Sequence, residues 1–380
     1  YADDPALSFI ELQNEDNVFW GAMEAALKQT PTYRKLLCNK FSAWLEQKYK
    51  SQEALEEAWN GKGLDNASLK AGNIYPNPSH GYFSAAYENA LRENEPVPQH
   101  VAARASFLYE EQLNFYKKFV KAIRDTGYRG VIVASCWQAG SGLSHFLNLH
   151  ADYIVGPIDR HNYFGGGTGH TLKPGKFDNT PMVSKPGSGL LSTGFQQVIV
   201  RPFQISEWMS LIPTEWTAES APLIAAYGMG LQGWDASYAF AMDYDRFSST
   251  INSHGVYNVT SPTQLGLYPA LVPMIYRGDV KEADVIANRN VNIKDLREGE
   301  INFIEKTSQQ YDVKQFESSV PVVALAIGRV TVSFDGTEKD LQKDLTPYWN
   351  KNSKQVTSST GQLQWNYDGK GYVTINTPAT

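Results

Sequence analysis

Short, compact apolar runs alternate with long amphipathic ones along this chain, and that alternation restricts it to a small set of folds. Gly130-Val131-Ile132-Val133-Ala134-Ser135 is apolar without interruption, as expected of a strand covered on both faces. Before it, residues 97 to 125 set Phe107, Leu108, Phe115 and Phe119 along one face of a long helix. A short helix is expected over 143–149. Further strands are expected at 6–15, 153–156, 198–205 and 230–235. Helices are expected over 17–50, over 51–62 with Ser51 as cap, and over 218–228. Strand, helix, strand at this spacing describes βαβ units in a parallel sheet. Beyond residue 282 the rhythm changes to short strands and turns. The expected division is therefore a (β/α) domain over 1–282, with a helical insertion at about 28–98, and a β-sandwich-like domain over 283–380.

With 380 residues, 42% of them apolar and 19% charged, the chain can bury a sizeable core. The net charge of -6 argues against nucleic acid or an anionic membrane as partner. Cys38 and Cys136 are the only cysteines, too few for a disulfide framework, and are expected as buried thiols. No run approaches the ~18 apolar residues of a membrane span. The first residues lack a basic stretch followed by an apolar one, so secretion would require a signal already removed.

Two of the expected strands run into a glutamate: Leu12-Gln13-Asn14-Glu15 and Gln204-Ile205-Ser206-Glu207-Trp208. Charge at the end of a buried strand is costly unless something uses it. In parallel barrels, catalytic groups collect at the C-terminal strand ends, where His161, Tyr163 and Trp234 are also expected. Each glutamate taken singly is equally well a capping or ion-pairing residue. His145 and His150 are five apart and share no helix face as an i, i+4 pair would, so no metal site is expected. Gly165-Gly166-Gly167 is not a phosphate loop, since no Gly-Lys-Ser/Thr follows. No Gly-x-Ser-x-Gly elbow supports a serine hydrolase.

The ordered set Asn14-Glu15, His161/Tyr163 and Ser206-Glu207-Trp208 resembles the clan-A glycoside hydrolases. Pro213-Thr214-Glu215-Trp216-Thr217-Ala218-Glu219 and Gln232-Gly233-Trp234-Asp235 add to the likeness, which points to β-galactosidase- and agarase-like bacterial members. It implies an α/β fold, a (β/α)8 TIM-type barrel, and retaining cleavage of β-galactosides or β-glucosides without cofactor or metal. On that resemblance Glu15 is the acid/base and Glu207 the nucleophile. Asn14 binds the sugar 2-hydroxyl, Tyr163 and His161 hold Glu207, and Trp234 and Trp137 are stacking platforms. If Glu15 ends the fourth barrel strand, the first three βα units are missing. The expected fold is then an incomplete barrel, equivalent to strands 4–8 and sealed by homo-oligomerisation. A fragment of a longer enzyme and an open α/β sheet remain the other readings. The expected partner is an oligo- or polysaccharide, and the expected location secreted or periplasmic. The alternative from another class is a carbohydrate-binding protein that has lost turnover.

Overall fold

The computed structural model describes residues 1–167, 169–241, 255–301, 303–310, 313–369 and 371–380. The fold is mixed α/β, with ten α-helices and sheets of two, three, four and five strands among the described residues. The chain forms two compact units, one of residues 1–157 with 291–306 and one of 158–290 with 307–380.

In the first unit, strand β1 (Phe9–Gln13) pairs in parallel with β2 (Val131–Ser135), in register from Phe9 opposite Val131 to Gln13 opposite Ser135. Four of the five β2 residues are buried, as its unbroken apolar run requires. The connection between the strands holds α1 (Gly21–Gln29), α2 (Pro31–Tyr49), α3 (Gln52–Ala58), α4 (His80–Glu93) and α5 (Gln99–Asp125). The single helix expected over 17–50 is thus two. Pro31 lacks an N–H and takes the first turn of α2, where none is needed. Ser51 caps α3 as expected, its hydroxyl accepting from the Ala54 N–H at 3.1 Å. At 27 residues, α5 spans about 40 Å and buries Val101, Ala105, Leu108, Gln112 and Tyr116 on one stripe.

The expected strand at 153–156 is instead the last turn of α6 (Gly142–Val155). Tyr153, Ile154 and Val155 are β-formers, but they continue a helix whose first eleven residues are all buried, and packing overrides local preference. Both cysteines are buried thiols outside any disulfide. No helix among the described residues is long and apolar enough to cross a membrane.

From residue 158 onward the strands are β3 (Ile158–Gly165), β4 (Phe203–Leu211), β5 (Ala236–Ala239), β6 (Val285–Val291), β7 (Glu305–Gln310), β8 (Val313–Ser318), β9 (Arg329–Phe334), β10 (Leu341–Gln342), β11 (Trp349–Asn350), β12 (Gln355–Thr357), β13 (Leu363–Asn366) and β14 (Tyr372–Ile375). They form sheets ordered β5-β4-β3-β8-β7, β10-β6-β9 and β11-β12-β13-β14. Strands β4 and β8 both run parallel to β3, and β5 parallel to β4. The five-stranded sheet thus takes strands from both sides of residue 282, where the sequence suggests a boundary.

Two further expectations are corrected here. Val198 makes an isolated bridge to Val332 rather than opening a strand. Residues 230–235 are not a strand: the helical stretch begun at Ser220 continues as a π-helix through Leu231, and β5 starts at Ala236. Against one end of β3 and β4 packs an apolar cluster of Tyr163, Met209, Leu211, Ile212, Val256 and Val259.

Candidate active site

Asp159, His161 and Tyr163 alternate along β3, so their side chains leave the same face of the strand. Opposite them β4 carries one residue too many. Arg160 pairs with Ile205 but His161 with Glu207, which leaves Ser206 as the extra residue. The register with β5 slips at the same place, between Ile205 and Trp208. In a regular strand, neighbours point to opposite faces; a bulge breaks that rule and re-aims side chains. Here Ser206 and Glu207, adjacent in sequence, meet the same imidazole: His161 Nε2 lies 2.9 Å from Ser206 Oγ, and Nδ1 lies 3.5 Å from Glu207 Oε2.

The Tyr163 hydroxyl donates to Glu207 Oε2 at 2.7 Å, a length typical of a strong O–H···O bond. The tyrosine ring is held by the apolar cluster and lies edge-on to Tyr257, with centroids 5.0 Å apart. Glu207 itself keeps one-fifth of its side chain exposed, while His161 is fully covered. Glu207 thus lies in the interior of β4, with a hydroxyl fixed on one oxygen and access from outside.

Asp159 anchors the other end of the row. It is wholly buried and accepts from the Ser206 N–H at 3.1 Å and from Gln204 Nε2 at 3.0 Å. Burial pushes its carboxyl above the usual aspartate range, and the bonds from Ser206 and Gln204, with the charge of His161, oppose that rise. A polar chain therefore runs Asp159, Ser206, His161, Glu207, Tyr163. Sequence reasoning missed Asp159 and the part played by Ser206. The available signal was the alternate spacing of Asp159 with His161 and Tyr163.

From β8, fully buried Lys314 donates its Nζ to the His161 carbonyl at 2.9 Å and its N–H to Asn162 Oδ1 at 3.0 Å. On the opposite face of β3, Asn162 Nδ2 donates to Thr193 Oγ1 at 2.8 Å. Both faces of β3 are thus fixed by side-chain bonds.

In the first unit, Glu15 follows β1 with a left-handed backbone, φ 47°. Such a conformation is uncommon outside glycine and asparagine and needs support from its surroundings. The support comes from the residues after β2. The Glu15 N–H donates to Cys136 Sγ at 3.1 Å, the Ser135 hydroxyl donates to the Asp16 carbonyl at 2.9 Å, and Asn17 Nδ2 donates to the Trp137 carbonyl at 3.2 Å. From α5, Gln112 Oε1 accepts from the Val18 N–H at 3.0 Å. Glu15 is half-buried and Asn14 exposed. Beside them, burial raises the Asp16 carboxyl, partly opposed by the Asn17 N–H.

The tryptophans fall differently from expectation. Trp137 is buried, edge-on to Trp20 at 5.4 Å, and it is half-buried Trp20 that stacks flat on His80 at 4.3 Å. Trp234 precedes β5, so it lies toward the N-terminal end of the parallel strands, whereas Tyr163 lies toward the C-terminal end. It is 2% exposed, packs on Phe203 at 5.2 Å, and would clash with a side chain at Gly228, whose Cβ would come within 2.7 Å of the ring. This is a core position, not a sugar platform. His150 and His145 have partners in the first unit: His150 Nδ1 is 2.6 Å from the Tyr109 hydroxyl, and His145 Nδ1 is 3.9 Å from Glu305.

Neither a family model nor a curated protein matches the chain. Among solved structures it is similar to an exo-beta-agarase, at a TM-score of 0.37 and 12% identity, over 63% of this chain and 30% of that one. The chain thus spans less than a third of the agarase's length, and a likeness this distant fixes neither the fold nor the activity of this chain.

Proposed function

We propose that the chain is a glycoside hydrolase that cleaves β-galactoside or β-glucoside bonds with retention, Glu207 acting as nucleophile and Glu15 as general acid/base. The observation that carries the reading is the row on β3 facing the bulge. It gives Glu207 a fixed orientation through Tyr163 while leaving its carboxylate reachable. A nucleophilic carboxylate needs that combination, because misplacement by about 1 Å already costs around a hundredfold in rate.

In the proposed reaction Glu207 attacks the anomeric carbon as the glycosidic oxygen leaves with the proton of Glu15, giving a glycosyl-enzyme. A water that loses its proton to Glu15 then displaces Glu207 and restores both groups. This mechanism asks for carboxyl groups about 5 Å apart. Asn14, on the exposed turn before Glu15, is the proposed partner of the sugar 2-hydroxyl. The fold proposed to carry these groups is the strand 4–8 portion of a TIM-type barrel, completed by a second copy of the chain.

The test is hydrolysis of a panel of nitrophenyl β-glycosides by wild type, Glu15→Gln and Glu207→Gln. Loss of turnover in Glu207→Gln, with azide restoring product of inverted configuration when a nucleophile is replaced by Ala, is the expected result. Equal turnover by all three proteins would refute the assignment. Binding of sugars without turnover in wild type would favour a carbohydrate-binding protein instead.

A further inference from the structure

A second site lies farther along β3. Past Tyr163 the strand ends at Gly165, and Gly165–Gly167 form one wall of a half-open cavity of about 410 Å³, lined also by residues 176–178, by 308–310 of β7 and by Val313 and Gln315 of β8. The wall is a built feature. Gly166 bridges to Asp178, whose N–H donates to the Gly166 carbonyl at 2.9 Å, and a side chain at Gly166 would bring its Cβ within 2.8 Å of Leu211. The lining is distinctive in what it offers. Gln309, Gln310 and Gln315 supply primary amides, each both donor and acceptor. Phe177 is 45% exposed. The charged lining residues, Lys176 and Asp178, are one of each sign.

A phosphate or a nucleic acid would meet no net positive charge here. A neutral polyhydroxyl chain would find what it needs: amides for its hydroxyls, an aromatic ring for its C–H face, and backbone bare enough for close approach. Gly165 lies four residues beyond His161, the register partner of Glu207, or about 13 Å along the strand. That separation exceeds one sugar ring.

We propose that this cavity is a distal subsite that binds a neutral oligosaccharide several sugar units from the bond cleaved at Glu207. The proposal rests on the glycosidase reading for the direction of the chain, but its test does not. Calorimetric titration of the Glu207→Gln protein with cello- and agaro-oligosaccharides of two and six units compares it with the same protein carrying Phe177→Ala and Gln315→Ala. Both added substitutions are at exposed positions outside the Glu207 row.

The expected result is that a hexasaccharide of one series binds at least tenfold more tightly than its disaccharide. The added pair should remove that advantage and leave disaccharide binding unchanged. A hexasaccharide that binds no better than the disaccharide, or one unaffected by the pair, overturns the subsite. Turnover of nitrophenyl glycosides by wild type, measured separately, decides the catalytic reading, so either conclusion can fail alone.

Discussion

Replacing Tyr163 by phenylalanine removes one oxygen and keeps the ring. The ring sits among Met209, Leu211, Ile212, Val256 and Val259, and those contacts survive the change. What is lost is the 2.7 Å bond to Glu207 Oε2. His161 Nδ1, at 3.5 Å, is too distant to replace it without movement. A hydrogen bond to a charged group contributes about 1.5–3 kcal/mol, which corresponds to a fall of roughly tenfold to a hundredfold in kcat/KM if the bond orients the nucleophile during attack. The assay is kcat/KM on the best nitrophenyl glycoside for wild type, Tyr163→Phe, and Tyr238→Phe, whose tyrosine is 46% exposed, with thermal midpoints measured alongside. The reasoning fails if Tyr163→Phe keeps kcat/KM within about twofold of wild type. It fails equally if the exposed control loses as much.

Other outcomes follow from the same structure. The carboxyl of Asp159 is raised above the ordinary value of 3.8, so its stabilising contribution is full below that value and is lost as pH rises through the raised one. Unfolding by urea from acid to neutral pH should therefore show a flatter stability profile for Asp159→Asn than for wild type; parallel profiles would contradict the burial argument. Trp234→Ala should cost about 3–5 kcal/mol of stability as a buried aromatic truncation, while Trp234→Phe keeps most activity. A Trp234→Phe protein of unchanged stability that no longer turns over sugar would return Trp234 to the substrate. Cys136→Ala removes the sulfur that accepts from the Glu15 N–H, and should lower stability by about 1–2 kcal/mol and slow turnover. Cys136→Ser, which restores an acceptor, should recover part of both, as measured by denaturation and initial rates.

Much of this arrangement is legible in the chain where one local rule dominates. The apolar run of β2 and the Ser51 cap each follow from a few neighbouring residues, whereas the break at Pro31 was read through as one helix. The pairing of Tyr163 with Glu207 was implied by the resemblance rather than by a local pattern, since the strand expected just before Tyr163, at 153–156, is the last turn of a helix. Where packing decides, the sequence misleads: 153–155 and 230–231 have strand-like or ambiguous composition yet continue helices whose buried faces are set by residues distant in the chain. The place of β8 beside β3 joins Val313 to Tyr163 across 150 positions, which no local pattern reports. The part played by Ser206 went unseen because alternation along β4 puts Ser206 and Glu207 on opposite faces, and only the slipped register turns both toward His161.

That slipped register makes the strand sensitive to length as well as to identity. Deleting Ser206 would leave every remaining side chain chemically intact and restore an even ladder against both β3 and β5. In that ladder Glu207 would still stand opposite His161, but the Ser206 hydroxyl beside Nε2 and the Ser206 N–H that donates to Asp159 would be gone. An insertion between Ser206 and Glu207 would instead move Glu207 one place past His161 and turn it to the other face, and should impair function more than most substitutions there. The exposed 173–175 segment should accept such changes. Any alignment of this chain with a distant relative must accordingly allow a gap of one residue beside its glutamate, or it will match the wrong face of the strand.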